Sequence, residues 1–553
     1  LVKLNVGGIS VKKPLPIGVD DFEKVRNSGY YYADKTLMIK EFALMQDEVA
    51  LIARPRRFGK SLNMTMIREF FDITKNSKAM FEGLAIMDTE YAALINSKPV
   101  IYLSLKNCKG IDMGTLIYQI KQELDREYNR YEELLRGKLD REKYGTKRFY
   151  QMLDLLGQLE LPARYMSTAI ADLTRVVNEF YETSPILLID EYDQPIISSY
   201  EHNYHDELGD FFAVFYGAAL KGNKYLGQAL LTGIQRVAKE SIFSQLNNLQ
   251  VYTVLHSKYA PYFGLTAKET REVLAAYDLE LNEEVRKMYD GYHFADMEMY
   301  NPWSVLNYAG SAFLDYYWVN TSSNYLIKQA LAKANQGFWD SFEKLAGGEE
   351  AEVWLDLDTS YVERESNYSL WGLLVNAGYL TVMKRVDAAS AVVRIPNDEV
   401  MSEFLRIVTE IAGIEGQGLY EMFYCLRNKD IRRFMDLYQE AVIACTSYMD
   451  AKENAYHMLF LGMCMVLRGS YQVTSNIEYG HGRSDITLKA LSTANPNVIV
   501  EFKQGEDINR LKEEALKQIL DNKYHTGLTG EVLCIGLAHD KKRCDVSYQI
   551  IQV

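Results

Sequence analysis

Hydrophobic positions along the chain change period several times, and each change marks an element. Residues 49–53 (VALIA) are an uninterrupted apolar run, the length of a buried strand. From 61 to about 75 the spacing turns helical, with Leu62, Met66, Ile67 and Phe70 on one face. Further strands read at 99–105, 185–189 and 227–232. Residues 263–450 read mostly helical: 268–277 and 283–289 are amphipathic, while 290–294 and 300–304 are turn-rich and aromatic. Those aromatics read as core packing, and His293 as a packed residue, because no second His or Cys sits at metal spacing. Residues 395–399 look like a loop introducing helices that run to about 449. The last hundred residues read as helix 454–467, strand 471–477, strand 484–490, strand 498–502, helix 508–523 and strand 531–537. That order is αβββαβ.

Bulk numbers narrow the class. A chain of 553 residues exceeds one hydrophobic core, and roughly 100–200 residues per domain predicts three or four units. Cys108, Cys425, Cys445, Cys464, Cys534 and Cys544 are scattered with no CxxC pair, which excludes a zinc knuckle or disulfide framework and fits a reducing cytoplasm. No apolar run approaches ~18 residues, so no membrane-spanning helix is expected, and the first ten residues lack the apolar core of a secretion signal. The net charge of −14 argues against a wholesale nucleic-acid coat. It is uneven, however: 451–553 holds twelve Lys/Arg and twelve Asp/Glu, so the acidity lies upstream.

The first candidate chemistry follows the run 49–53. Arg54-Pro55-Arg56-Arg57-Phe58-Gly59-Lys60-Ser61 leads into the helix. Strand, loop, Gly-Lys-Ser and helix are the context of a phosphate-binding loop. Backbone N–H groups of loop and helix end would face the phosphates. Lys60 would neutralise the β- and γ-phosphates of ATP, and the Ser61 hydroxyl would ligate Mg²⁺. Arg54 stands where the pattern GxxxxGK[ST] has its first glycine. The strand 185–189 ends in Asp190 and Glu191. Asp190 is expected to hold Mg²⁺ and Glu191 to polarise the attacking water. The plain alternative is a buried strand whose end meets solvent at two acids. Thr232 ends the strand 227–232, where a sensor of the γ-phosphate would sit. Arg236 beyond it either reaches phosphate, in cis or across subunits, or is a surface arginine. The nucleotide-binding set is therefore Arg56, Arg57, Phe58, Gly59, Lys60, Ser61, Asp190 and Thr232.

Leu15-Pro16-Ile17-Gly18, Tyr31-Tyr32-Ala33-Asp34-Lys35-Thr36, RPRRFGKSL and LIDEYDQPI together resemble the AAA-ATPase-like family of additional-strand P-loop ATPases, over about 15–248. The family's own loop is RPRRFGKS, so the resemblance makes Arg54 its normal form. Tyr31, Tyr32 and Asp34 read as a packed N-terminal cap over the nucleotide site.

The second candidate chemistry lies near the C-terminus. Asp485 opens the strand 484–490, and Glu501 and Lys503 sit two apart at the end of 498–502. A strand repeats every two residues, so Glu501 and Lys503 share a face. Carboxylates from adjacent strands can hold Mg²⁺ against a phosphate, and a lysine can position water and balance charge. The plain alternative is a sheet edge carrying an E-x-K pair. The string Tyr456-His457, Ser475-Asn476-Ile477-Glu478, Gly482-Arg483-Ser484-Asp485-Ile486 and Val500-Glu501-Phe502-Lys503 resembles the PD-(D/E)XK nuclease superfamily. The resemblance gives Asp485, Glu501 and Lys503 the D, E and K places. It makes Glu453 an extra metal ligand and matches Gln518 to a helical glutamine of the family.

The expected fold is α/β: an N-terminal additional-strand, AAA-like P-loop parallel sheet (1–260), a helical lid (261–385), a helical connector (386–450) and an αβββαβ restriction-endonuclease-like domain (451–553). The expected activity is an ATPase whose cycle gates a Mg²⁺-dependent nuclease in the cytoplasm. Glu191, Arg236, Asp485, Glu501 and Lys503 would be catalytic, and Ser61, Asp190, Asp485, Glu501 and Glu453 metal-binding. The partner would be nucleic acid, DNA before RNA, with no membrane; homo-oligomerisation is an open option. The alternative is a nucleotide-dependent switch whose nuclease-like domain only binds nucleic acid or a protein.

Overall fold

The computed structural model describes residues 3–6, 9–235, 248–318, 327–328, 331, 334–346, 348–357, 367–411, 416–444, 453–467, 470–479 and 482–553. Two compact units emerge: residues 1–330 with 352–397, and residues 331–351 with 398–553. Among the described residues no helix is long and apolar enough to cross a membrane.

The first unit is built on five parallel strands: β1 (Val49–Ala53), β2 (Val100–Ser104), β3 (Ile186–Asp190), β4 (Gln228–Gly233) and β5 (Leu249–Tyr252). Their order is β2-β3-β4-β1-β5. β4 therefore intervenes between the loop-bearing β1 and the acid-bearing β3, the additional-strand arrangement. β1 and β3 are buried along their whole length, which is why both read as unbroken apolar runs. Helices Met113–Leu135 and Ala169–Tyr181 cover one face, placing Leu116, Ile120, Leu173 and Val177 in a core with Leu51, Ile101, Ile189 and Leu231. Each such side chain contributes about 1.5–3 kcal/mol when fully buried. Helix α1 (Lys60–Phe71) packs against β2, β3 and β4.

The middle of the chain is mostly helical, as expected, but it also holds two small sheets that the pattern did not show. Leu265–Thr266, Met297–Tyr300 and Tyr292–Phe294 form one three-stranded sheet, and Ala351–Trp354, Ser390–Arg394 and Thr381–Arg385 form another. Strands of two to five residues carry too few positions to declare a period. The hairpin between Phe294 and Met297 turns through Ala295 at φ 51°, without the Asn-Gly signal that marks such turns.

The second unit carries helices Asp398–Ile411, Gly416–Arg427, Ile431–Ala444 and Glu453–Cys464. They accompany a five-stranded sheet: β6 (Tyr471–Tyr479), β7 (Gly482–Ala490), β8 (Asn497–Gln504), β9 (Glu531–Asp540) and β10 (Arg543–Gln552), in that spatial order. Only β8 and β9 are parallel, joined by the crossover helix α2 (Ile508–Asp521). The strand β10 extends the αβββαβ pattern. As a half-exposed edge strand with polar Asp545, Ser547 and Gln549, it offered no apolar run to read. Gly536 lets α2 lie against β9: a Cβ there would come within 2.3 Å of the Lys512 carbonyl oxygen. The other face of the sheet buries an aromatic cluster. His539 stacks on Tyr456 at 4.1 Å between centroids, its Nε2 lies 2.9 Å from the Tyr438 hydroxyl, and Phe502 packs on Phe460.

Burial holds the His539 imidazole neutral, down at about 3. Its folded value lies below the unfolded one, so the unfolded state binds more protons in between. Stability is then full above about pH 6.5 and is lost as pH falls toward 3. Acidification from pH 7 to pH 5 is predicted to cost about 2 kcal/mol through this group. Urea unfolding followed by near-UV circular dichroism should show a shallower pH slope in His539→Phe than in the wild type.

Candidate functional site

Residues 54–59 connect β1 to α1, and the loop takes its shape from left-handed backbone at Arg57 (φ 68°) and Gly59 (φ 83°). Lys60 and Ser61 open α1, whose free N–H groups face a cleft of about 390 Å³. Arg56, Arg57, Gly59, Lys60, Ser61 and Glu191 all line it. The Lys60 ammonium is buried and donates to the carbonyl oxygens of Arg54 and Pro55, both at 3.0 Å. Burial lowers its pKa, opposed by the charges of Glu191, Asp193 and Asp190.

Asp190 lies just beneath the cleft, fully buried at the end of β3. Its Oδ1 accepts from the Thr232 hydroxyl at 2.6 Å, and Ser61 donates to the same carboxylate. Burial, then the neighbouring Glu191, raises its pKa. Its Oδ2 is buried with no hydrogen-bond partner among the described residues, so a hard cation held by Asp190 and Ser61 fits the donor set. Glu191 stands at φ 50°, an uncommon conformation for a non-glycine residue and one that recurs at functional sites.

Asp193 had no role legible in the sequence. Asp193 accepts from the N–H groups of Ile234 (2.8 Å) and Gln235 (3.1 Å), and burial pushes it up to about 6. With the Tyr192 N–H donating to the Thr232 carbonyl at 3.0 Å, it locks the end of β4 beside the end of β3. Arg54 is fully buried, donates to the carbonyls of Ala53 and Tyr252, and lies over the rings of Phe263 and Phe294. Burial pulls it down to about 9. Arg57 stacks on Trp303 at 4.3 Å, which brings helix Pro302–Ser311 to the cleft. The Phe58 ring is buried against Tyr292 and Phe294, away from the cleft lining, and its carbonyl accepts from the Gly264 N–H at 3.0 Å. The N-terminal residues Tyr32 and Asp34 pack as a cap: the Tyr32 hydroxyl meets Met66 Sδ, and Asp34 accepts from Thr36 and from the Ala85 N–H. Arg236 lies outside the described residues.

In the second unit, β7 and β8 bring Asp485, Glu501 and Lys503 together. Asp485 Oδ2 accepts from the Phe502 N–H at 2.8 Å, which ties the two strands at the site. Glu501 is buried, and its Oε1 accepts from Lys503 Nζ at 3.3 Å and from the Gln518 amide. Burial, then Asp485, pushes Glu501 up to about 7. Its Oε2 is buried without a hydrogen-bond partner among the described residues. The His457 Nε2 lies 3.2 Å from the Asp485 carbonyl oxygen, and the Tyr524 hydroxyl accepts from Gln518 and Asn522. Glu453 opens its helix, but its side chain lies outside what is described. Among the described residues no group of three His, Cys, Asp or Glu side chains is arranged to hold a metal. The two converging carboxylates form a hard-oxygen donor pair of the kind Mg²⁺ takes.

Comparison with known proteins agrees with this geometry. The model of the AAA-ATPase-like family, described as a predicted AAA-ATPase, matches residues 16–243, and that of the PD-(D/E)XK nuclease superfamily matches residues 451–549. The chain thus carries an AAA-ATPase-like domain fused to a C-terminal PD-(D/E)XK domain. It is similar to a protein of Azotobacter chroococcum mcd 1 described as an uncharacterized protein in the vnfD 5′ region, at 27% identity over 427 residues, 74% of each chain.

From β4, the Thr232 hydroxyl donates to Asp190. Thr232→Val should leave a buried carboxylate short of a donor and cost about 1–3 kcal/mol. Urea unfolding should show that loss, and Thr232→Ser should recover most of it.

Proposed function

We propose that this protein is an ATP-hydrolysing machine whose cycle gates a Mg²⁺-dependent phosphodiesterase acting on nucleic acid, DNA in preference to RNA. The observation that carries the nuclease half is the buried Glu501, with one carboxylate oxygen unpartnered and the other held by Lys503 and Gln518, beside Asp485. A sheet edge with an incidental E-x-K pair has no reason to bury an acid at that point, because burying a carboxylate is costly and such a cost is typically carried at functional sites.

At the nucleotide site Lys60 would trade its two carbonyl acceptors for the β- and γ-phosphates. Glu191 would orient and polarise the attacking water, and Thr232 would hold Asp190 in register with Ser61. At the second site Lys503 would position the attacking water and offset the charge that builds on the scissile phosphate. Magnesium, held by Asp190 and Ser61 at one site and by Asp485 and Glu501 at the other, would supply charge neutralisation of phosphate oxygens. As functional modules we retain 1–260, 261–385, 386–450 and 451–553. A cytoplasmic location suits both substrates.

Two measurements test the reading. Phosphate release from MgATP should fall at least about a hundredfold in Lys60→Ala and in Glu191→Gln. Cleavage of DNA and RNA of several topologies, with Mg²⁺ or Mn²⁺ and ATP, should vanish in Lys503→Ala. Wild-type protein that hydrolyses ATP yet leaves every substrate intact would instead assign the C-terminal domain a binding role.

A further inference from the structure

The nucleotide cleft holds a cation that the phosphate-loop pattern does not account for. Lys106 lies on the tight turn Leu105–Asn107 directly after β2, and it lines the same cleft as Lys60, Ser61 and Glu191. β2 and β1 are separated in the sheet by β3 and β4. Three strand spacings put these two strands roughly 14 Å apart. Lys60 and Lys106 therefore enter the cleft from opposite sides, with Asp190 and Glu191 of the intervening β3 end between them.

The partner of Lys106 is informative. Its Nζ lies 2.5 Å from Asp20 Oδ2, with both side chains about half exposed. Asp20 belongs to the N-terminal segment that lines the cleft, and its backbone is pinned to α1. The Thr65 hydroxyl donates to the Asp20 carbonyl at 3.2 Å and accepts from the Phe22 N–H at 3.0 Å. The ion pair thus spans the cleft from the turn after β2 to the segment fixed on the phosphate-loop helix. Partial burial opposes the charge on Lys106, and Asp20, then Glu191 and Asp190, more than offset it. An exposed pair of this kind contributes only about 0–1 kcal/mol, so a polyanion entering the cleft competes for the lysine with little resistance.

We propose that Lys106 is a further catalytic residue of the nucleotide site: when a nucleoside triphosphate fills the cleft, Lys106 leaves Asp20 and binds the terminal phosphate from the side opposite Lys60. The inference rests on the nucleotide reading above and deepens it. In this proposal Lys106 senses the γ-phosphate, and a diphosphate leaves the Asp20 pair closed. Asp20 is its resting partner and competes with the triphosphate for it.

Calorimetric titration with MgADP and with a magnesium-bound non-hydrolysable ATP analogue, alongside steady-state phosphate release, tests this on the full chain. Lys106→Met should bind ADP within about twofold of wild type, lose roughly tenfold or more in affinity for the analogue, and lose at least about tenfold in kcat. Lys106→Arg should recover most of both. Asp20→Asn should shift the preference toward the analogue. Equal weakening of both nucleotides by Lys106→Met, or an unchanged kcat and preference, overturns the proposal while leaving the nucleotide site standing. A wild-type chain that binds neither nucleotide overturns the nucleotide reading, and this inference with it.

Discussion

The first unit depends on placing one carboxylate in its interior. β3 is buried from Ile186 to Asp190, so its last residue arrives at the sheet edge already out of water. A lone buried carboxylate is costly, and its neighbours answer that cost. Thr232 from β4 and Ser61 from α1 both donate to Asp190, and Lys60 stands nearby. β4 lies next to β3 in the order β2-β3-β4-β1-β5, which presents Thr232 to Asp190. Asp193 and Tyr192 then stitch the ends of β3 and β4 together, so the site is held by backbone as well as by side chains.

A second buried charge organises the approach to the cleft. Arg54 takes the place of a glycine, and its side chain turns inward to cap the carbonyls of Ala53 and Tyr252 at the ends of β1 and β5. The rings of Phe263 and Phe294 flank the guanidinium. Two glycines let the surrounding chain press against the loop. A Cβ at Gly264 would lie 2.9 Å from the Phe58 ring, and one at Gly378 would lie 2.9 Å from Pro55, with φ of 97° and 88°. The small sheet carrying Tyr292 and Phe294 is therefore bound to the phosphate loop by packing.

The second unit solves a related problem on a different sheet. Glu501 is buried in β8, and Lys503 on the same face, Gln518 from α2 and the adjacent Asp485 surround it. Here too one acid oxygen is left without a hydrogen-bond partner among the described residues. Both units bury an acid on a central strand and surround it with polar side chains. The supports differ in kind: hydroxyls serve Asp190, and a lysine and an amide serve Glu501.

Much of this was legible along the chain because it is local. Apolar runs at 49–53 and 185–189, the Gly-Lys-Ser before a helical period, and the two-residue spacing of Glu501 and Lys503 each specify an element and a face by short-range geometry. What stayed hidden depends on chain segments far apart in sequence. Thr232 meets Asp190 across 42 residues, and Arg54 meets Tyr252 across 198. The strands at 292–294 and 297–300 are too short to show a period, and β10 lacks an apolar run because it lies half exposed at an edge. The sequence alone determined which residues could carry phosphate and metal chemistry, since residue type and spacing set donor, acceptor and charge. Only the tertiary structure decided that Phe58 is core, that Arg54 is a buried brace, and that Lys106 and Lys60 line one cleft, because strand order is set by packing and not by adjacency in the chain.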